Sequence, residues 1–168
     1  GEQKIILYLG RIHQTKGLEL LVKAFAEVTK ELPNTKLVIV GPDDGYLPAL
    51  EKLIKELKIE NKTLLTGPLY GEDKLKAYVD ADVFVNPRAD EIFGIVFLEA
   101  LACGTPVICS IGCGLADVIN NQVGFAVPYD KDQLQQAILH ILSDEKMRQE
   151  FGEKGKLLVR EKFNWEKI

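Results

Sequence analysis

The sequence predicts an α/β fold: a parallel sheet covered by helices on both faces, in three layers. Three observations carry this expectation. Short apolar runs alternate with segments whose apolar residues recur at helical spacing along the 168-residue chain. The runs are continuous instead of alternating, as in strands buried on both faces. Most runs are followed by glycine and polar residues, which falls at the edge where strand C-termini of such a sheet gather and ligands bind.

Residues 4–9 form the first predicted strand, which ends at Gly10-Arg11. A helix is expected from about Lys16, with Leu18, Leu21, Val22, Phe25 and Val28 on one face; Pro33-Asn34 ends it. Residues 36–40 are the second strand, closed by Gly41-Pro42-Asp43-Asp44-Gly45, and the next helix carries Leu47, Leu50, Leu53, Ile54 and Leu57. Residues 63–66 are the third strand, followed by Gly67-Pro68 and a helix over 72–79. The fourth strand, 83–86, is stopped by Pro87. The helix expected over 94–103 is apolar on every side: Ile95, Val96, Phe97, Leu98, Ala100, Leu101 and Ala102 surround one charge, Glu99. Such a helix is expected to be buried, and a carboxylate on it must be paired or must hold something. Residues 106–109 are the fifth strand; Gly112-Cys113-Gly114, a short helix over 116–119 and a sixth strand over 124–127 follow. Asp130 and Asp144 cap the last two helices. The final one is highly charged, reads as a solvated face and ends near Phe163-Asn164-Trp165.

Length fits one domain, residues 1–168. The chain opens on Gly1 directly before a strand and stops within a helix-like segment, so a longer parent protein is expected. A net charge of -4 argues against a broad nucleic-acid surface, and no apolar run has membrane-spanning length. Cys103, Cys109 and Cys113 lack metal-ligand spacing, as do His13 and His140; free thiols in a reducing compartment are expected, and no metal site.

Gly10-Arg11 followed by Lys16-Gly17 places two cations around the first strand-to-helix turn, suited to a diphosphate; Gly10 lets the backbone approach it. Gly94 and Ile95 open a helix whose free N–H groups offer a second anion contact. Glu91, just upstream, would repel a phosphate and suits sugar hydroxyls or a developing positive charge. Asp80-Ala81-Asp82 precedes a strand, at the wrong edge for a metal-diphosphate site, and Asp43-Asp44 reads as a turn. Gly112-Cys113-Gly114 lacks the third glycine of the dinucleotide fingerprint, and there is no G-K-[ST] phosphate loop.

Taken together, Gly10-Arg11 with Lys16-Gly17, Glu91-Ile92-Phe93-Gly94, and Glu99-Ala-Leu-Ala-Cys-Gly-Thr-Pro-Val-Ile resemble the donor-binding domain of GT-B glycosyltransferases. The nearest group is the retaining, glycogen-synthase-like and mannosyltransferase-like one called family 4 or glycosyl transferases group 1. The resemblance runs from the first strand to Phe163-Asn164-Trp165. It implies a Rossmann-like domain, the C-terminal half of a two-domain enzyme that moves a hexose from a UDP- or GDP-linked sugar to an acceptor hydroxyl. It further implies that Arg11 and Lys16 bind the donor diphosphate and, with Glu91, act in catalysis. Glu99 would bind ribose hydroxyls, Glu91 the donor sugar, and amides around Phe93, Gly94 and Ile95 phosphate or sugar. The loops after Gly41 and Gly67 would embrace base and sugar. No cofactor is implied. A glycan or lipid-linked acceptor would be met through the N-terminal domain, and the implied location is the cytoplasm, with room for peripheral contact between the full-length enzyme and a membrane. The chain departs from the usual pattern at Arg88, Ile92 and 113–117. A sugar epimerase of the same architecture and an inactive binding module are the alternatives; the epimerase would need a carboxylate and His acid/base pair of its own.

Overall fold

In a computed structural model that describes residues 2–87 and 94–163, six strands form one sheet of order β3-β2-β1-β4-β5-β6, and every pairing is parallel. The strands are β1 (Lys4–Leu9), β2 (Thr35–Val40), β3 (Thr63–Gly67), β4 (Val83–Val85), β5 (Val107–Ser110) and β6 (Gly124–Val127). The helices are α1 (Leu18–Glu31), α2 (Leu47–Glu56), α3 (Gly71–Asp80), α4 (Ile95–Ala102), α5 (Ala116–Ile119), α6 (Lys131–Ser143) and α7 (Glu145–Lys162). This is the Rossmann-like α/β/α arrangement that the alternation of segments predicts.

The continuous apolar runs explain the layering. In a strand, neighbouring side chains point to opposite faces, so a strand buried twice over must be apolar at every position. Ile6 and Tyr8 join one core with Leu21, Phe25, Ile54 and Ile138; Leu7 joins the other with Phe84, Phe97 and Leu101. α1 packs against α6 over the first face, and α4 against α7 over the second. α7 spans both: Met147 lies against the first core, Leu158 and Val159 against the second. Its seat against the turn that follows α4 depends on glycine, because a Cβ at Gly152 would stand 2.5 Å from the Gly104 carbonyl oxygen.

The strand order reverses between β1 and β4, which pair through Ile6–Val83 and Leu7–Phe84. Chains leaving neighbouring strands there turn to opposite faces of the sheet and leave a crevice at the C-terminal edge, where ligands of such sheets bind. The turns after β1 and β4 flank it.

Two expectations change. α1 does not begin at Lys16: Gln14–Lys16 is a separate 3-10 turn, and Gly17, left-handed at φ 79°, separates it from α1. α4 is not buried all round. Phe97, Ala100 and Leu101 face the core, but Ile95 is 63% exposed, because the first turn of α4 stands out at the ligand edge.

Candidate functional site

Three strand ends lock together at this edge. The Gly10 N–H donates to the Val40 carbonyl at 2.9 Å, and the Gly41 N–H to the Gly67 carbonyl at 3.0 Å. The backbones approach so closely that a Cβ on Gly41 would fall 1.7 Å from the Gly10 carbonyl oxygen. Gly10, Gly41 and Gly67 therefore form one continuous floor. Beyond it Ile12 bridges to Asp43, and the Ile12 carbonyl accepts from the Asp44 N–H at 3.0 Å. Asp43 accepts from the N–H groups of Gly45 and Leu47 at 2.9 and 3.1 Å, a turn that also caps α2.

This second link sets the position of Arg11. Its Nη1 lies 2.7 Å from Oδ2 of Asp44, with both side chains largely exposed. The backbone carbonyl of Arg11 accepts from the Tyr8 hydroxyl at 2.9 Å, and burial pushes that phenol above its ordinary pKa, so it stays a donor. Lys16, half-buried, ends the 3-10 turn, whose start is capped by His13 accepting from the Thr15 N–H at 3.1 Å. Among the described residues Lys16 has no ion-pair partner. An exposed pair such as Arg11–Asp44 contributes little by itself, so the guanidinium can exchange Asp44 for an anion at small cost.

Across the switch point β4 is followed by Asn86, which is buried, and among the described residues its Oδ1 finds no hydrogen-bond partner. Sequence reading passed over this residue as a strand end. Gly94, left-handed at φ 51°, starts α4 with no side-chain cap among the described residues; the Phe97 N–H already donates to the Gly94 carbonyl at 2.8 Å, which leaves the N–H groups of Ile95 and Val96 as the first-turn donors suited to an anion. Glu91 and Phe93, like the departures at Arg88 and Ile92, lie outside the described residues.

Glu99 is about a third exposed, not embedded. One oxygen, Oε2, lies 2.8 Å from Nζ of Lys74 on α3, and the other accepts from the Tyr78 hydroxyl at 3.3 Å. Burial, and then the Glu99 charge, push the Tyr78 phenol up, which keeps its proton in place. The Lys74 contact was not foreseen. The only trace in the sequence is Lys74 one helical turn before Tyr78, on a helix that otherwise looks solvated. Asp82, by contrast, bonds at the opposite edge: its carboxylate accepts from the Ile5 N–H at 2.8 Å and its own N–H donates to the Ile5 carbonyl. The thiol of Cys109 is raised by its hydrogen bond with Cys113 and by burial, so it is a poor nucleophile.

The doubly wound sheet thus carries two cations at its first turn and the N-terminus of α4 across the switch point. The sequence profile of the family described as glycosyl transferases group 1 matches residues 1–158. An uncharacterized glycosyltransferase of Methanocaldococcus jannaschii is 37% identical over 99% of this chain and 43% of its own length. The alpha-monoglucosyldiacylglycerol synthase of Streptococcus pneumoniae is 34% identical over 83% of this chain and 32% of its own. Among solved structures, a mutant of S. aureus TarM in complex with fondaparinux, alpha-GlcNAc-glycerol and UDP superposes with a TM-score of 0.89. It is 25% identical, over 99% of this chain and 34% of that one. This chain belongs to the glycosyl transferases group 1 family and has the Rossmann-like fold of one GT-B half. It spans less than half the length of these relatives. No helix among the described residues is long and apolar enough to cross a membrane.

Proposed function

We propose that the chain is the nucleotide-sugar-binding domain, C-terminal in its parent enzyme, of a retaining glycosyltransferase that moves a hexose from a UDP- or GDP-linked donor to an acceptor hydroxyl. The observation that supports this best is the locked floor of Gly10, Gly41 and Gly67, which holds Arg11 and the Lys16 turn at the switch point. There a diphosphate meets Arg11, Lys16 and, from the other side, the amide N–H groups at the start of α4. All three favour negative charge. They act most strongly on the charge that grows on the departing diphosphate as the glycosidic bond loosens. Glu99 accepts from the ribose hydroxyls. Glu91 faces the donor sugar, where a carboxylate orients hydroxyls or stabilises positive charge near the reacting carbon. The loops after Gly41 and Gly67 receive base and sugar, and Phe93 lends backbone contacts. The scheme calls for no metal or cofactor. A glycan or lipid-linked acceptor is met by the rest of the parent enzyme, in the cytoplasm or at a membrane surface.

Calorimetric titration of the 168-residue chain with UDP, GDP, ADP and the matching nucleosides tests the reading. The expected result is saturable binding of one nucleoside diphosphate, with its nucleoside at least tenfold weaker. Equal binding of nucleoside and diphosphate, or none of either, overturns it.

A further inference from the structure

Glu99 is held from two sides, and the two holds differ in kind. Tyr78 is fully buried; its ring packs edge-on against Phe84 with centroids 5.5 Å apart, and its carbonyl accepts from the Thr105 hydroxyl at 2.6 Å. Its hydroxyl is thus a rigid donor, but at 3.3 Å a weak one. Lys74 sits one turn earlier on α3, and at 2.8 Å its ammonium makes the shorter, charge-assisted contact. A carboxylate offers about four acceptor positions over two oxygens. Among the described residues Tyr78 takes one on Oε1 and Lys74 one on Oε2, so one acceptor position on each oxygen remains. Glu99 is still about a third exposed, so those positions are reachable from solvent. A carboxylate pinned at both oxygens can receive two adjacent hydroxyls without first losing rotamer freedom, whereas a loose Glu must be ordered on binding.

We propose that Lys74 is a positioning residue for the donor: it holds Glu99 in the orientation that receives the vicinal hydroxyls of a ribose, and so makes the site select ribonucleotides over 2′-deoxyribonucleotides. This rests on the ribose role proposed for Glu99. Lys74 does not touch the reacting atoms. Its effect is confined to the part of the affinity that the ribose hydroxyls supply. That separates it from a residue that merely supports the fold, whose loss weakens every ligand alike.

The test crosses a change in the protein with a change in the ligand. UDP, GDP and their 2′-deoxy counterparts are titrated against the unaltered chain, Lys74→Met and Lys74→Arg, with melting temperatures recorded alongside. The unaltered chain is expected to prefer the ribonucleotide on the order of tenfold, the scale of one net hydrogen bond to a charged group. Lys74→Met weakens the ribonucleotide more than the 2′-deoxy ligand, which keeps only its 3′-hydroxyl for Glu99, and reduces the preference to about threefold or less; Lys74→Arg, which retains the charge-assisted contact, restores most of it. A preference unchanged in Lys74→Met overturns the proposal, and so does equal weakening of both ligands. If the unaltered chain binds the diphosphate but shows no preference, the ribose role of Glu99 falls and the proposal with it. If it binds none of these nucleotides, the donor-site reading itself has failed.

Discussion

At the level of single residues, two charges of the site, those of Arg11 and Glu99, rest on partners before any ligand arrives. Arg11 rests on Asp44 at 2.7 Å and Glu99 on Lys74 at 2.8 Å. The first pair is open to water on both sides and so worth little, which makes Arg11 free to serve a diphosphate and Asp44 a weak competitor for it. Opposite outcomes are therefore expected at the two partners. Arg11→Ala should weaken diphosphate binding by about 1.5–3 kcal/mol, the loss of charge-assisted hydrogen bonds, and leave the nucleoside unaffected. Asp44→Asn should tighten the diphosphate by a few-fold, most clearly at low salt, because it removes a neighbouring negative charge. Titrations at two ionic strengths measure both. Parallel losses in the two variants would mean that Asp44 orients Arg11 and does not compete with it. Glu91 belongs to the same scale. If it acts mainly in the transition state, Glu91→Gln in the full-length enzyme keeps nucleotide affinity while kcat drops on the order of a hundredfold. Wild-type kcat in that variant would remove Glu91 from the chemistry.

At the level of elements, the strand ends matter more than the helices. Gly41 is the clearest case, since any side chain there would meet the Gly10 carbonyl. Gly41→Ala must push β1 and β2 apart where they form the floor, so it should cost about 3 kcal/mol of stability and weaken diphosphate binding as well. Urea denaturation with a parallel titration reads both; an unchanged midpoint would show that the floor yields more easily than its geometry suggests. Much of this layer was legible beforehand. Continuous apolar runs such as Lys4–Leu9 and Val107–Ser110 mark strands buried on two sides, and Asp130 and Asp144 accept from the N–H groups of Gln133 and Met147, as their spacing predicts. What was not legible depends on geometry that no local pattern encodes. The apolar circumference of α4 implied burial on every side, yet Ile95 is exposed, because a periodicity does not say where a helix stands relative to the end of the sheet. Gly17 was read as part of a helix start, although its left-handed backbone sets the 3-10 turn apart. The pairing of Lys74 with Glu99 joins two helices 25 positions apart along the chain, a separation at which charge spacing carries no signal.

At the level of the whole molecule, the strand order was the piece that the sequence withheld. Alternating strands and helices give a parallel sheet, but only the order β3-β2-β1-β4-β5-β6 puts the turns after β1 and β4 side by side. That arrangement separates what this chain can do from what its parent does. The two cores lie on opposite faces of one sheet and are closed by helices of this chain, with α7 reaching both, so the ligand edge is supported from within the chain. Binding should thus be a property of these 168 residues, and a ligand that prefers the folded form adds stability as RT ln(1 + [L]/Kd). At a hundredfold excess over Kd the gain is about 2.7 kcal/mol, or about 5–10 °C in melting temperature for a domain of this size. Transfer is a different matter, since the chain spans 43% of the length of the Methanocaldococcus glycosyltransferase, and on the proposed reading the acceptor is placed by the remainder. A melting series with UDP and GDP, followed by a product assay with the preferred sugar donor, examines both halves on one preparation. The expected outcome is a rise in melting temperature for one nucleotide with no transfer to any added acceptor. Sugar transfer by this chain alone would overturn the division of labour, and a melting temperature indifferent to every nucleotide would overturn the binding site.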